Sequence, residues 1–156
     1  MMSIQRHLRA GLVSVTIVLA SCASLENIVS APEVKLRGVE VASLDISEQT
    51  FVLSFDVFNP NPFPLPVKTI SYAVMLDGQR FASGEMASSF TVAAGSDGEF
   101  AISVALNLLQ TAPDLLFIVR EGVRRDIPYG LKGQLGVDIP YARPLNFESD
   151  GLIRLR

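Results

Sequence analysis

From residue 33 onward the chain alternates apolar and polar positions with period two, the pattern of strands that put one face in a core and the other in water. Val34, Leu36, Gly38 and Glu40 oppose Lys35, Arg37, Val39 and Val41. The clearest run is Phe51, Leu53, Phe55 and Val57, with Ser54 and Asp56 on the opposite parity. Its aromatic and aliphatic face is expected inside. Ile70, Tyr72, Val74 and Leu76 share a face, and the turn signal Asp77-Gly78 follows, so residues 79–86 should return as a hairpin with Phe81 opposite Val74. Residues 89–92 and 100–106 form a third expected pair around a turn-rich loop at 93–99. Tyr129, Leu131, Gly133, Leu135 and Val137 outline another strand, and residues 144–156 a closing hairpin bent at Asp150-Gly151.

One segment departs from this period. Thr111-Ala112-Pro113-Asp114 has the form of a helix start, with Thr111 as N-cap, proline in the first turn and an acid near the positive end of the dipole. Leu115, Leu116, Ile118 and Val119 with a stop at Gly122 complete one short helix, apolar on more than one side, expected to pack across an end or edge of a sheet. About seven strands with one short α-helix predict a mainly β fold, a fibronectin- or immunoglobulin-like two-sheet sandwich.

Between two of the strongest strand patterns lies Asn59-Pro60-Asn61-Pro62-Phe63-Pro64-Leu65-Pro66. Proline at every second position removes the N–H groups from one side of the backbone, so this stretch must be an edge, a bulge or a crossover. Asn59 and Asn61, each before a proline, are pushed to extended geometry, where their amides can bridge to nearby backbone as Asx turns. A rigid linker or a polyproline ligand for an aromatic groove is the competing reading. Strand patterns running into the stretch from both sides favour a stiff crossover within one domain.

The first 21 residues read as a targeting segment. Arg6 and Arg9 precede a short apolar run, residues 10–20, too short to span a bilayer as a helix. It ends in Leu19-Ala20-Ser21-Cys22, which resembles the bacterial lipobox, where small residues before a cysteine allow cleavage after the thiol is diacylated. Cys22 is the only cysteine, so no intramolecular disulfide can form. An ordinary signal peptide or an uncleaved signal anchor are the alternatives. The expected organisation is a lipoprotein signal peptide at 1–21, a flexible tether at 22–32 and a folded domain at 33–156. Loss of the leader leaves 11 Lys and Arg against 16 Asp and Glu, a balance that disfavours a nucleic-acid partner. Ala23 lacks the aspartate of the inner-membrane retention signal, so in a Gram-negative host the periplasmic face of the outer membrane is the expected location.

The strand from Phe51 to Val57 running into Asn59-Pro60-Asn61-Pro62 resembles the signature of late embryogenesis abundant type 2 proteins, the group carrying the water-stress and hypersensitive-response (WHy) domain. Leu76-Asp77-Gly78-Gln79, Ala82-Ser83-Gly84-Glu85 and Ile127-Pro128-Tyr129-Gly130-Leu131-Lys132-Gly133 are similar to later blocks of that family. The resemblance implies a fibronectin-like sandwich with one helix and a non-enzymatic protective or interaction role. Asn59, Pro60, Asn61 and Pro62 are the motif positions, structural or interacting. With 49% hydrophobic residues the chain can fold, unlike the hydrophilic stress proteins sharing the name.

The residue inventory argues the same way. The only histidine, His7, lies in the expected leader, so the mature domain has no imidazole and, with Cys22 acylated, no thiol. That excludes Ser-His-Asp, Cys-His and histidine-based metal schemes, and no catalytic residue, metal or cofactor is expected. The expected partners are the membrane, through the lipid on Cys22, and envelope proteins or lipids. The competing function is a lipid or apolar-ligand carrier, which calls for an apolar cavity of about 300 Å³ or more beneath the helix.

Overall fold

The alternating runs become seven antiparallel strands in two facing sheets. The computed structural model describes residues 28–156; the expected leader, Cys22 and the first part of the expected tether lie outside the described residues. In chain order the elements are β1 (Glu33–Leu44), β2 (Gln49–Phe58), β3 (Leu65–Leu76), β4 (Gln79–Val92), β5 (Asp97–Leu106), α1 (Leu108–Thr111), α2 (Pro113–Arg124), β6 (Ile127–Val137) and β7 (Leu145–Ile153). One sheet runs β1-β2-β5 and the other β4-β3-β6-β7. This is the expected two-sheet sandwich, with α2 as its short helix and α1 a single turn before it.

The core follows from strand parity. Phe51, Leu53, Phe55 and Val57 of β2 are buried and their neighbours half-exposed. Ile70, Tyr72, Val74 and Leu76 of β3 face them from the other sheet. Rings tie the sheets together. Phe100 of β5 stacks on Phe55 at 4.8 Å and on Phe90 of β4 at 5.4 Å, so one aromatic row crosses the sandwich. Such pairs add about 0.5–1.5 kcal/mol each beyond the area they bury. Surface ion pairs such as Lys68 to Asp138 (2.7 Å) and Lys132 to Glu148 (2.9 Å) are mostly exposed and contribute little.

Two β-bulges overturn local parity. In β1 the register shifts between Leu36 and Gly38, so Val39 joins Val34 and Leu36 in the core and Glu40 turns outward. In β4 the pairing slips past Phe81, so Ala82 rather than Phe81 lies opposite Val74. The tight turn Asp77-Gly78 is as expected, both residues having positive φ. The bulge lets Phe81 and Ala82 both point inward, and Phe81 meets Phe51 edge-on at 5.0 Å.

Four further expectations are corrected. Residues 89–92 and 100–106 are not a hairpin: β4 pairs with β3, β5 pairs with β2, and residues 93–96 cross between the sheets. The N-cap of α2 is Ala112, since Thr111 closes α1. Gly122 does not stop the helix, which continues to Arg124; a Cβ there would lie 2.6 Å from Leu155 Cδ1, so the glycine is needed for close packing. Finally, β7 runs straight through Asp150-Gly151. Gly151 pairs with Tyr129, whose ring comes within 2.9 Å of where a Cβ would stand, so this glycine makes room for a ring instead of a turn.

The C-terminus closes one edge. Leu155 bridges to Val39, Arg156 N–H donates to Val39 O (3.0 Å), and Val41 N–H donates to Arg156 O (2.8 Å), so the free side of β1 is covered from Val39 to Val41.

Candidate functional site

The proline-interrupted stretch is the crossover from β2 in the three-stranded sheet to β3 in the four-stranded one. Pro60 and Pro62 sit exposed on its rim, and their fixed φ holds it extended. Pro66 is the second residue of the central strand β3, where its carbonyl still accepts from Asp138 N–H at 2.9 Å.

Asn59 and Asn61 alternate with these prolines and point inward, and both are buried. Burying an amide costs several kcal/mol unless its hydrogen bonds are replaced. Here they are. The Asn59 amide donates to the carbonyls of Phe63 (2.9 Å), Val92 (3.2 Å) and Ala93 (3.1 Å). Its Oδ1 accepts from the Asn61 backbone N–H (3.0 Å), the expected Asx turn, and from Asn61 Nδ2 (2.9 Å). Asn61 Nδ2 also donates to Ser30 O (3.0 Å), and Asn61 Oδ1 accepts from Ser30 N–H (2.8 Å), so its side chain pairs with Ser30 as a neighbouring strand would.

Backbone bonds reinforce the same junction: Asn59 N–H donates to Ser96 O (3.0 Å) and Gly95 N–H to Asn61 O (3.1 Å). Three segments therefore meet on two side chains: the chain entering the domain at Ser30, the β2–β3 crossover and the β4–β5 crossing. Val29 packs on the core and Pro32 is buried, so packing of the domain begins before Glu33.

The arrangement is a clasp. Every polar atom of the two amides is engaged within the protein, while Pro60 and Pro62 stay exposed. Alternation with proline signalled the crossover, but Ser30 carried no signal, because only its backbone is used. Gln49 was also missed. It is the one other buried polar residue among the described residues, and it sits at the opposite end, where its Oε1 accepts from Leu108 N–H (2.8 Å) and its Nε2 donates to Asp45 O (2.5 Å).

Among the described residues no group of three or more His, Cys, Asp or Glu is placed to hold a metal. Burial raises the Tyr72 hydroxyl above its ordinary value. Beneath α2, the position of the expected carrier cavity, the Leu155 and Ile127 side chains approach Gly122 closely.

Comparison with known proteins agrees with this architecture. Residues 54–151 match the sequence family described as late embryogenesis abundant protein, LEA_2. A protein from Arabidopsis thaliana solved in solution is 23% identical, with a TM-score of 0.59 over 81% of this chain and 83% of that one. The X-ray structure of structural-genomics target SoR45 is 11% identical, with a TM-score of 0.51 over 85% and 90%. These two likenesses support the sandwich fold. No curated protein sequence matches the chain. Since the family match runs from β2 through both crossings and the helix to β7, the chain belongs to the late embryogenesis abundant type 2 family.

Proposed function

We propose that this chain is a non-enzymatic, lipid-anchored protein of the cell envelope, whose WHy-type domain shields or binds envelope components when water is scarce. Family membership supports the protective role, and the lipobox-like Leu19-Ala20-Ser21-Cys22 supports the anchor. The observation that carries the reading is the saturated clasp. The most motif-like residues of the domain are spent on holding its entry segment and two crossings together, and residues 28–156 contain neither cysteine nor histidine. A domain built this way offers a shaped surface on a tether, without a reactive centre. The carrier alternative gains no support beneath α2, where Leu155 and Ile127 pack closely against Gly122.

Two measurements test the proposal. Cells fed labelled palmitate should label the wild-type chain but not Cys22→Ser, and the variant should leave the membrane fraction. A deletion strain should survive drying and osmotic shock less well than its parent, with rescue by the wild-type gene. Equal survival would remove the protective role, and an unlabelled wild-type chain would remove the anchor.

A further inference from the structure

The end of the sandwich where the chain enters carries a surface that the clasp does not use. Residues 138–144 connect β6 to β7 there. Ala142 N–H donates to Ile139 O (3.1 Å), which closes a turn with Pro140 and Tyr141 at its corners. Tyr141 has φ +64°, the conformation that glycine or asparagine fills in a type II turn and that a tyrosine adopts only under strain. Its side chain is 104% exposed, so the strain is not repaid by packing within the domain. Ile28, at the point where the chain enters, is 67% exposed. Between them lies an open groove of about 700 Å³, bounded by Ile28, Val29 and Ala31 on one side and Ile139, Pro140 and Pro144 on the other.

The geometry points to a membrane-docking face: we infer that this groove and the Tyr141 turn rest on the interface of the bilayer that holds the Cys22 lipid. The inference depends on the anchoring proposed above. Chain length selects the occupant. Asn61 pins Ser30 to this end, and Cys22 is eight residues upstream, so even a fully extended connection reaches only about 27 Å. The anchored end is thus kept close to the lipid surface. Tyrosine suits that depth, with an apolar ring and a hydroxyl that stays hydrated. Arg143 and Asn146 also line the groove and no acidic residue does, so the contact joins apolar side chains to a polar rim that tolerates anionic headgroups. A tethered second contact adds to the anchor through effective concentration.

The chain contains no tryptophan, so Tyr141→Trp introduces a single fluorescent reporter at the turn. Ile46→Trp places the same reporter at the opposite end, at a site 87% exposed. Both full-length chains are processed in cells, purified in detergent and reconstituted into phosphatidylethanolamine and phosphatidylglycerol vesicles, with and without brominated acyl chains. The expected result is a shift to shorter wavelength at position 141 and roughly twofold quenching by brominated lipid, with water-like emission at position 46. Chains that float with the vesicles while both reporters stay water-exposed overturn the docking face and leave the anchor standing. Quenching at position 46 in place of 141 overturns it too, as does a wavelength shift at 141 without bromine quenching, which would mean that protein covers the groove. Chains that fail to float and carry no lipid on Cys22 overturn anchor and docking together.

Discussion

The two ends of the sandwich use the same device with different results. At the entry end, two buried asparagines bind three chain segments, and alternating prolines stiffen the crossover that carries them. At the helix end a single buried amide, Gln49, ties the β1–β2 turn to the start of α1, and no proline lies in that turn. Around it Leu44, Ile46, Leu109 and Phe117 stay exposed. Buried primary amides suit such junctions because they can donate and accept at once and so satisfy backbone groups that no strand reaches. The difference lies in how many segments depend on each amide.

That difference orders the expected effects. Asn59→Ala removes the side-chain partner of the Phe63 and Val92 carbonyls and of Asn61 N–H, while Ala93 O keeps Ser96 N–H, and should cost about 3 kcal/mol in a denaturant titration, with the slope unchanged. Gln49→Ala removes the partner of one buried N–H, since the Asp45 carbonyl lies in an exposed turn, and should cost about 1–2 kcal/mol. Equal losses would break the comparison. At the entry end Tyr141→Gly should stabilise the domain by about 1 kcal/mol, because it relieves a left-handed residue and removes no packing; a loss would mean that Tyr141 supports the fold.

The smallest effect belongs to neither end. Tyr72 lies in the middle of the four-stranded sheet, and its hydroxyl is raised by burial. The folded state therefore holds this proton more tightly than the unfolded chain does. The resulting stability is fully present below the ordinary tyrosine value near 10 and lost as pH rises through the raised folded value. The denaturation midpoint should fall on that alkaline limb, and Tyr72→Phe should flatten it. A fall of the same size in the variant would assign the limb to other groups.

Much of this fold was legible because the marked runs of the strongest strands keep one period. β2, β3 and β6 bury the faces their alternation marks, and Asn59 to Pro66 announces a crossover because proline cannot continue a ladder. What stayed hidden depends on contacts distant in sequence. The bulges at Leu36 to Gly38 and at Phe81 reverse parity by one residue, and they are fixed by what each side chain meets in the opposite sheet. Gly122 and Gly151 resemble a helix stop and a turn, yet each makes room for a side chain arriving from another element. Which sheet takes β5 is set by backbone bonds to residues 95 and 96, which no side-chain pattern encodes. At the site, the asparagines were visible and their partner Ser30 was not.

The central claim is that Asn59 and Asn61 form an internal clasp that holds the entry segment. Hydrogen exchange of the Ser30 amide and of the two asparagine side-chain amides tests it most directly. In the wild type all should exchange slowly, and Asn61→Ala should make Ser30 exchange at the rate of an open chain while β2 amides such as that of Phe55 remain protected. Rapid exchange of Ser30 and of the asparagine amides in the wild type would contradict the claim.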